Sequence, residues 1–190
     1  SIDIIPYYSN VAEGEIYFDD IAFIDTTMAF TESSHFDLTD KDNAFLDLLQ
    51  KRTFNYFLYS FDHESGLVRD RMTFNDLASV ASTGWGLTVL PIGVERGWIT
   101  HEDAKSLVIK ALNTLWNAPQ GPDASGMSGY KGFFYHFLDI KTGLRKGTSE
   151  LSNVDTEKLL QGIYTAKQYF NNPNDPEAVQ IGALADSIYN

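Results

Sequence analysis

The chain has 190 residues and no cysteine, which excludes disulfides, thiolate metal sites and a cysteine nucleophile. Hydrophobic residues at 43% and aromatics at 14% are ample for a packed core, and 13 Phe with 10 Tyr leave rings over for a sugar-binding surface. A net charge of −12 argues against nucleic acid as a partner, because neutralising phosphates needs a basic face.

The charge is unevenly spread. Residues 1–42 hold ten Asp or Glu against one Lys, whereas residues 43–190 hold sixteen against thirteen Lys or Arg. An acidic leader therefore precedes a nearly balanced body, and a boundary is expected near Asp42. No apolar run approaches the roughly 20 residues of a membrane span, so no membrane partner is expected. The first residues, SIDII, lack the basic and apolar regions of a signal peptide. A start without Met suggests that something was removed or that the numbering begins inside a longer chain.

Residues 1–30 read as a small β segment, from Ile2, Ile4 and Ile5 and then IYFDDIAFI over 16–24. The run EIYFDDI resembles the closing strand of jelly-roll carbohydrate-binding modules, and a plain β appendage fits it equally well. Asp19 and Asp20 offer hard oxygen ligands for calcium, but two acids without a wider ligand set are more often simply solvated. Residues 31–42, polar and rich in Ser and Asp, read as a linker.

A first helix is expected over about 41–61, with Phe45, Leu48, Leu49, Phe54, Phe57, Leu58 and Phe61 at helical spacing and Asp40 or Asp42 as cap. GLVRDR over 66–71 is a loop with two guanidinium groups around a carboxylate. Arg69 and Asp70 either form a surface ion pair of little worth or clamp sugar hydroxyls. A second helix, 76–94, starts on the small residues ASVASTG and is apolar all round, so it belongs to an inner layer that a neighbour approaches closely. Trp85 lies among those small residues, facing either the core or a cavity. Gly97 ends this helix; Thr100 and Asp103 then open an amphipathic outer helix over 101–117 as a capping box.

Residues 118–132, with two Pro and four Gly, form a long loop of the kind that carries function. Residues 133–138 are too aromatic for a solvated loop and too short for a helix, so they read as a strand. Thr142-Gly143 predicts a tight hairpin back through 144–146. A fourth helix follows over 156–170, and Pro176 begins a fifth.

The hairpin leads into two carboxylates, Glu150 and Asp155, at the mouth of the fourth helix. Cleaving a glycosidic bond needs one carboxylic acid to protonate the departing oxygen and a second carboxylate as base or nucleophile. Glu150 is favoured as the acid, with apolar neighbours expected to raise its pKa, although such a residue is also an ordinary exposed loop Glu. Ser152 and Asp155 have capping-box spacing, so a structural role alone also accounts for Asp155. Tyr135 and His136 alternate on the strand, one facing the cavity and the other the interior. Arg145 and Lys146 either bind hydroxyls or solubilise the hairpin edge. The four His show no metal-binding spacing, and no phosphate loop or GxSxG elbow is present, so no metal or cofactor is expected.

GFFYHFLD, the turn TG and SELSNVDTEKLLQG resemble the signature segment of the glucoamylase-like glycoside hydrolases, a family that includes enzymes acting on β-1,2-linked glucans. GLVRDR, ASVASTGWGL and ERGWIT resemble earlier segments of the same family in the same order, and the resemblance covers residues 43–190. It implies a mainly α fold, the first half of an α/α toroid of six helix hairpins, with the remainder supplied by further sequence or another chain. It also implies a hydrolase cleaving β-linked, above all β-1,2-linked, glucan or gluco-oligosaccharide, inverting by analogy with other toroid hydrolases, in the periplasm or outside the cell. The implied catalytic residues are Glu150 and Asp155, and the implied substrate-binding residues are Arg69, Asp70, Trp85, Tyr135, His136 and Arg145. A polysaccharide lyase using Tyr135 and His136, or a non-catalytic carbohydrate-binding module, is the alternative.

Overall fold

The computed structural model describes residues 38–73 and 76–189, with the backbone of 16–17 and 22–23. The chain divides into two units, Ser1–Asn43 and Ala44–Asn190. In the first, β1 (Ile16–Tyr17) and β2 (Ala22–Phe23) pair antiparallel, Ile16 opposite Phe23. The acids Asp19 and Asp20, the jelly-roll comparison and most of the expected linker lie outside the described residues.

Helix α1 (Asp40–Ser60) starts on a capping box made by Thr39 rather than by an aspartate alone. The Thr39 N–H donates to Asp42 Oδ2 at 2.9 Å, and the Asp42 N–H donates back to Thr39 Oγ1 at 3.3 Å. Of the apolar positions expected on this helix, Phe54 is buried, as is Phe61 just beyond its end. Phe45, Leu48 and Leu49 stand exposed, because no described element of the second unit covers that end of the helix.

The second unit is helical, with two short antiparallel strand pairings. Its elements continue with β3 (Leu77–Ser79), α2 (Val80–Glu95), α3 (His101–Asn117), β4 (Gly129–Tyr130), β5 (Phe133–Phe134), β6 (Phe137–Asp139), α4 (Asn153–Tyr169) and α5 (Pro176–Tyr189). Helices α2 and α4 pack on one another as one layer, and α3 and α5 pack together as the next. The amphipathic reading of α3 holds residue by residue: Ala104, Leu107, Val108, Ala111, Leu112 and Leu115 are all buried. Its N-terminus carries the expected cap, the Asp103 N–H donating to Thr100 Oγ1 at 3.1 Å.

The expected second helix starts four residues late. Leu77-Ala-Ser79 extend as β3 and pair with β6, and Ser79 then caps α2. Small residues at 78–79 suit a strand pressed between Arg69 and Leu138 as well as they suit a helix, so local sequence did not separate the two. Beyond Ser79 the close-packing expectation is met. A Cβ on Gly84 would overlap the Lys158 carbonyl of α4, and a Cβ on Gly162 would overlap the Gly84 carbonyl of α2. The two helices therefore touch backbone to backbone.

Gly162→Ala is expected to destabilise the unit by about 1–3 kcal/mol through forced separation of α2 and α4. Gly182→Ala on α5, where a Cβ meets nothing within 4 Å, is expected to be neutral or slightly stabilising. Urea midpoints of the two variants, compared with the parent, check the contrast.

Candidate active site

The aromatic segment 133–139 is a strand in two pieces, and each piece finds a different partner. β5 pairs with β4, Phe134 opposite Gly129, and β6 pairs with β3, Phe137 opposite Ser79. The expected hairpin turn is present, with the Gly143 N–H donating to Asp139 O at 2.9 Å and Gly143 at a φ of +69°. Its return arm, however, contributes only one bridge, Leu138 to Arg145. The strand's main partner is thus the segment expected to begin the second helix.

Both inner helices start against this strand. The Val80 N–H of α2 donates to His136 O at 3.1 Å. On the α4 side, Ser152 N–H donates to Phe134 O at 3.0 Å, and Phe134 N–H donates to Thr156 Oγ1 at 2.9 Å. Between these clamps Tyr135 bridges Leu151, and the His136 N–H donates to Glu150 O at 2.9 Å. The backbone therefore sets His136 beside Glu150 before any side-chain contact is made.

Three of the expected site residues converge here. His136 Nδ1 lies 2.9 Å from Glu150 Oε1 and 3.7 Å from Asp155 Oδ2. Stacking fixes the imidazole plane: the Phe137 ring lies 3.8 Å away, centroid to centroid, at 18°. Asp155 keeps half of its capping role, its N–H donating to Ser152 Oγ at 3.2 Å. The reciprocal bond of a capping box is replaced, because the Ser152 N–H is already given to Phe134 O. The Asp155 carboxylate is left to face the histidine.

Glu150 corrects one expectation. Its side chain is 67% exposed, so no apolar shell surrounds it. Its own backbone N–H, and then His136, hold its carboxyl below the usual glutamate range.

Tyr135 and His136 do face opposite ways: Tyr135 is buried and His136 is half-buried at the carboxylates. The Arg145 guanidinium covers the Tyr135 ring at 4.3 Å and donates from Nε to Ser149 O at 2.7 Å. Arg69 and Asp70 do not pair with one another. Arg69 donates from Nη1 to Tyr59 O at 3.1 Å, and Asp70 accepts from Arg71 Nε at 2.7 Å. Trp85 is half exposed, with Lys158 Nζ of α4 5.7 Å from its ring centroid. Sequence reasoning missed Phe137 and Ser149. Neighbours on a regular strand point apart, so the His136–Phe137 stack arises only from the irregularity between β5 and β6.

Glu150 stands in the open, whereas Asp155 is partly shielded. A groove of about 710 Å³ runs between α4 and α5, lined by Phe133, Asn153, Tyr164 and Tyr189 among others, but none of His136, Glu150 and Asp155 lines it. Among the described residues no group of three or more His, Asp or Glu is arranged to hold a metal ion, and no helix is long and apolar enough to cross a membrane.

No family model matches the chain. It is 31% identical over 156 residues to an exo β-1,2-glucooligosaccharide sophorohydrolase (non-reducing end) of Parabacteroides distasonis, covering 78% of this chain and 20% of that protein. Among solved structures it resembles a β-1,2-glucanase from Parabacteroides distasonis, with a TM-score of 0.67 and 29% identity over 83% of this chain and 22% of that one. It also resembles a protein of Bacteroides uniformis provisionally named a glucoamylase, with a TM-score of 0.67 and 25% identity over 83% of this chain and 36% of that one. The chain resembles part of the glucoamylase-like glycoside hydrolases, in sequence and in fold.

The chain spans about a fifth of the length of the curated relative. What it contains of the family's mainly α, toroid-class fold is the α1–α5 unit, with His136, Glu150 and Asp155 at the end where α2 and α4 begin. Ser152 ties helix start to strand, so Ser152→Ala is expected to cost about 1 kcal/mol of stability through loss of the cap. The urea midpoint measures that cost; an unchanged midpoint would remove Ser152 from the scaffold of the site.

Proposed function

We propose that this chain supplies catalytic carboxylates to a glycoside hydrolase acting on β-1,2-linked glucan or gluco-oligosaccharides. The observation that carries the reading is the convergence of Glu150 and Asp155 on one imidazole, His136, at the shared start of two inner helices. The names of the relatives, a β-1,2-glucooligosaccharide hydrolase and a β-1,2-glucanase, support the choice of linkage.

Hydrolysis adds water across the bond. The water oxygen joins the anomeric carbon, the bond to the departing oxygen breaks, water gives up a proton, and the departing oxygen takes one. Glu150, held ionised by its own N–H and by His136, suits the proton-accepting side of that exchange. This reverses the role expected from sequence. Asp155 lies alongside it in the first turn of α4, on the same imidazole. Trp85, Arg69, Asp70, Tyr135 and Arg145 are assigned to shaping or supporting the sugar site. Trp85 is the exposed ring among them, and Tyr135 acts from beneath Arg145. A lyase using Tyr135 as its base is disfavoured, because that side chain is buried. The excess of acidic residues accords with a neutral polymer as partner, and a periplasmic or extracellular setting goes with such a substrate.

Reducing-sugar release by the full-length protein from linear β-1,2-, β-1,3- and β-1,4-glucans is expected on the first alone. Glu150→Gln is expected to lower kcat by about 10³-fold or more while sugar binding persists. No release from any glucan by the parent would end the hydrolase reading.

The pH dependence has a definite sign. A carboxylate whose pKa is lowered is ionised above the ordinary glutamate range and loses its charge only as pH falls below it. If ionised Glu150 is the working form, kcat/KM holds from neutral pH down through the ordinary glutamate range and falls only below it. A rate that climbs steadily as pH drops through that region would instead require Glu150 in its protonated form.

A further inference from the structure

Resting on the hydrolase reading above, we infer that Glu150, His136 and Asp155 act as one unit on a single side of the scissile bond, with His136 as its positioning residue rather than a sugar contact. Opposed carboxylates in inverting glycosidases stand about 6.5–9.5 Å apart, and in retaining ones about 5–5.5 Å, with the sugar between them. Here the same nitrogen, His136 Nδ1, lies 2.9 Å from one carboxylate oxygen and 3.7 Å from the other. Those oxygens can be no further apart than the two distances laid end to end, which reaches no further than the lower edge of the inverting range, and both turn to one imidazole nitrogen rather than to an open space between them. The carboxyl group that faces this unit across the sugar comes from a different element.

The imidazole is built to hold position. Its backbone is pinned on both sides, by Val80 N–H at its carbonyl and by Glu150 O at its N–H. Its face is stacked on Phe137. With Nδ1 turned to two carboxylates, the ring donates there, orienting Glu150 and helping to keep it charged. No protein hydrogen bond reaches Nε2 among the described residues.

Asparagine and glutamine separate the two ring nitrogens. His136→Asn places an amide donor near the position of Nδ1, and His136→Gln places one near that of Nε2. In the full-length protein acting on linear β-1,2-glucan, the Asn variant is expected within about fivefold of parental kcat. The Gln variant is expected to lose about 100-fold in kcat with KM changed less than twofold. On a Glu150→Gln background, His136→Gln is expected to cost less than about threefold more, because the two residues serve one function. A raised KM at unchanged kcat, equal loss in both His136 variants, or a full additional loss in the double variant would overturn the inference. Each of these outcomes needs a parent protein that hydrolyses glucan, so an inactive parent refutes the underlying reading instead.

Discussion

The backbone contact between Gly84 and Gly162 fixes the geometry on which the site depends. Helices carrying side chains at a crossing keep their axes about 8–10 Å apart, whereas two glycines let the main chains themselves meet. That contact locks α2 and α4 in register, so their first turns lie at the same end of the unit and on the same short strand. Val80 reaches that strand from α2, and Ser152 and Thr156 reach it from α4. Glu150 and Asp155 flank the start of α4, and this scaffold carries them to His136.

A strand clamped by two helix starts also explains how polar groups gather without burying a charge. The backbone groups around Phe134 and His136 are satisfied by Ser152, Thr156, Val80 and Glu150, so none is left to compete for the carboxylates. Glu150 remains largely in water, where an ionised carboxylate costs little, and Asp155 is partly shielded in a first helical turn, where the dipole favours an acid. Elsewhere the unit treats its charges structurally. Lys105 is buried between α3 and the start of α5, with Asp175 at 2.7 Å and Glu177 at 2.9 Å, and these carboxylates hold its pKa well above the usual lysine range. Lys141 closes on Asp62 at 2.7 Å. Neither cluster lies on the strand that carries His136.

Helix periodicity and capping were legible because they are local. The run of 101–117, with Thr100 and Asp103 at its start and six apolar residues on one stripe, determined α3 to the residue. The small residues around Gly84 announced a close helix neighbour, and the alternation of Tyr135 and His136 announced opposite faces. The motifs around 130–170 pointed to the family that the chain resembles.

Pairing partners and proton states were decided elsewhere, since both depend on residues distant in sequence. Leu77–Ser79 become a strand because Phe137–Asp139 offers an unpaired edge some 60 residues later, a gain no local propensity registers. Whether Glu150 holds a proton depends on how much water surrounds it and on which nitrogen faces it, and the fold supplies water and His136 where the sequence suggested an apolar shell. Composition and spacing determined the kinds of side chain available and the helices that carry them. Only the tertiary structure decided that both carboxylates share one imidazole, because that distance is set by a helix crossing.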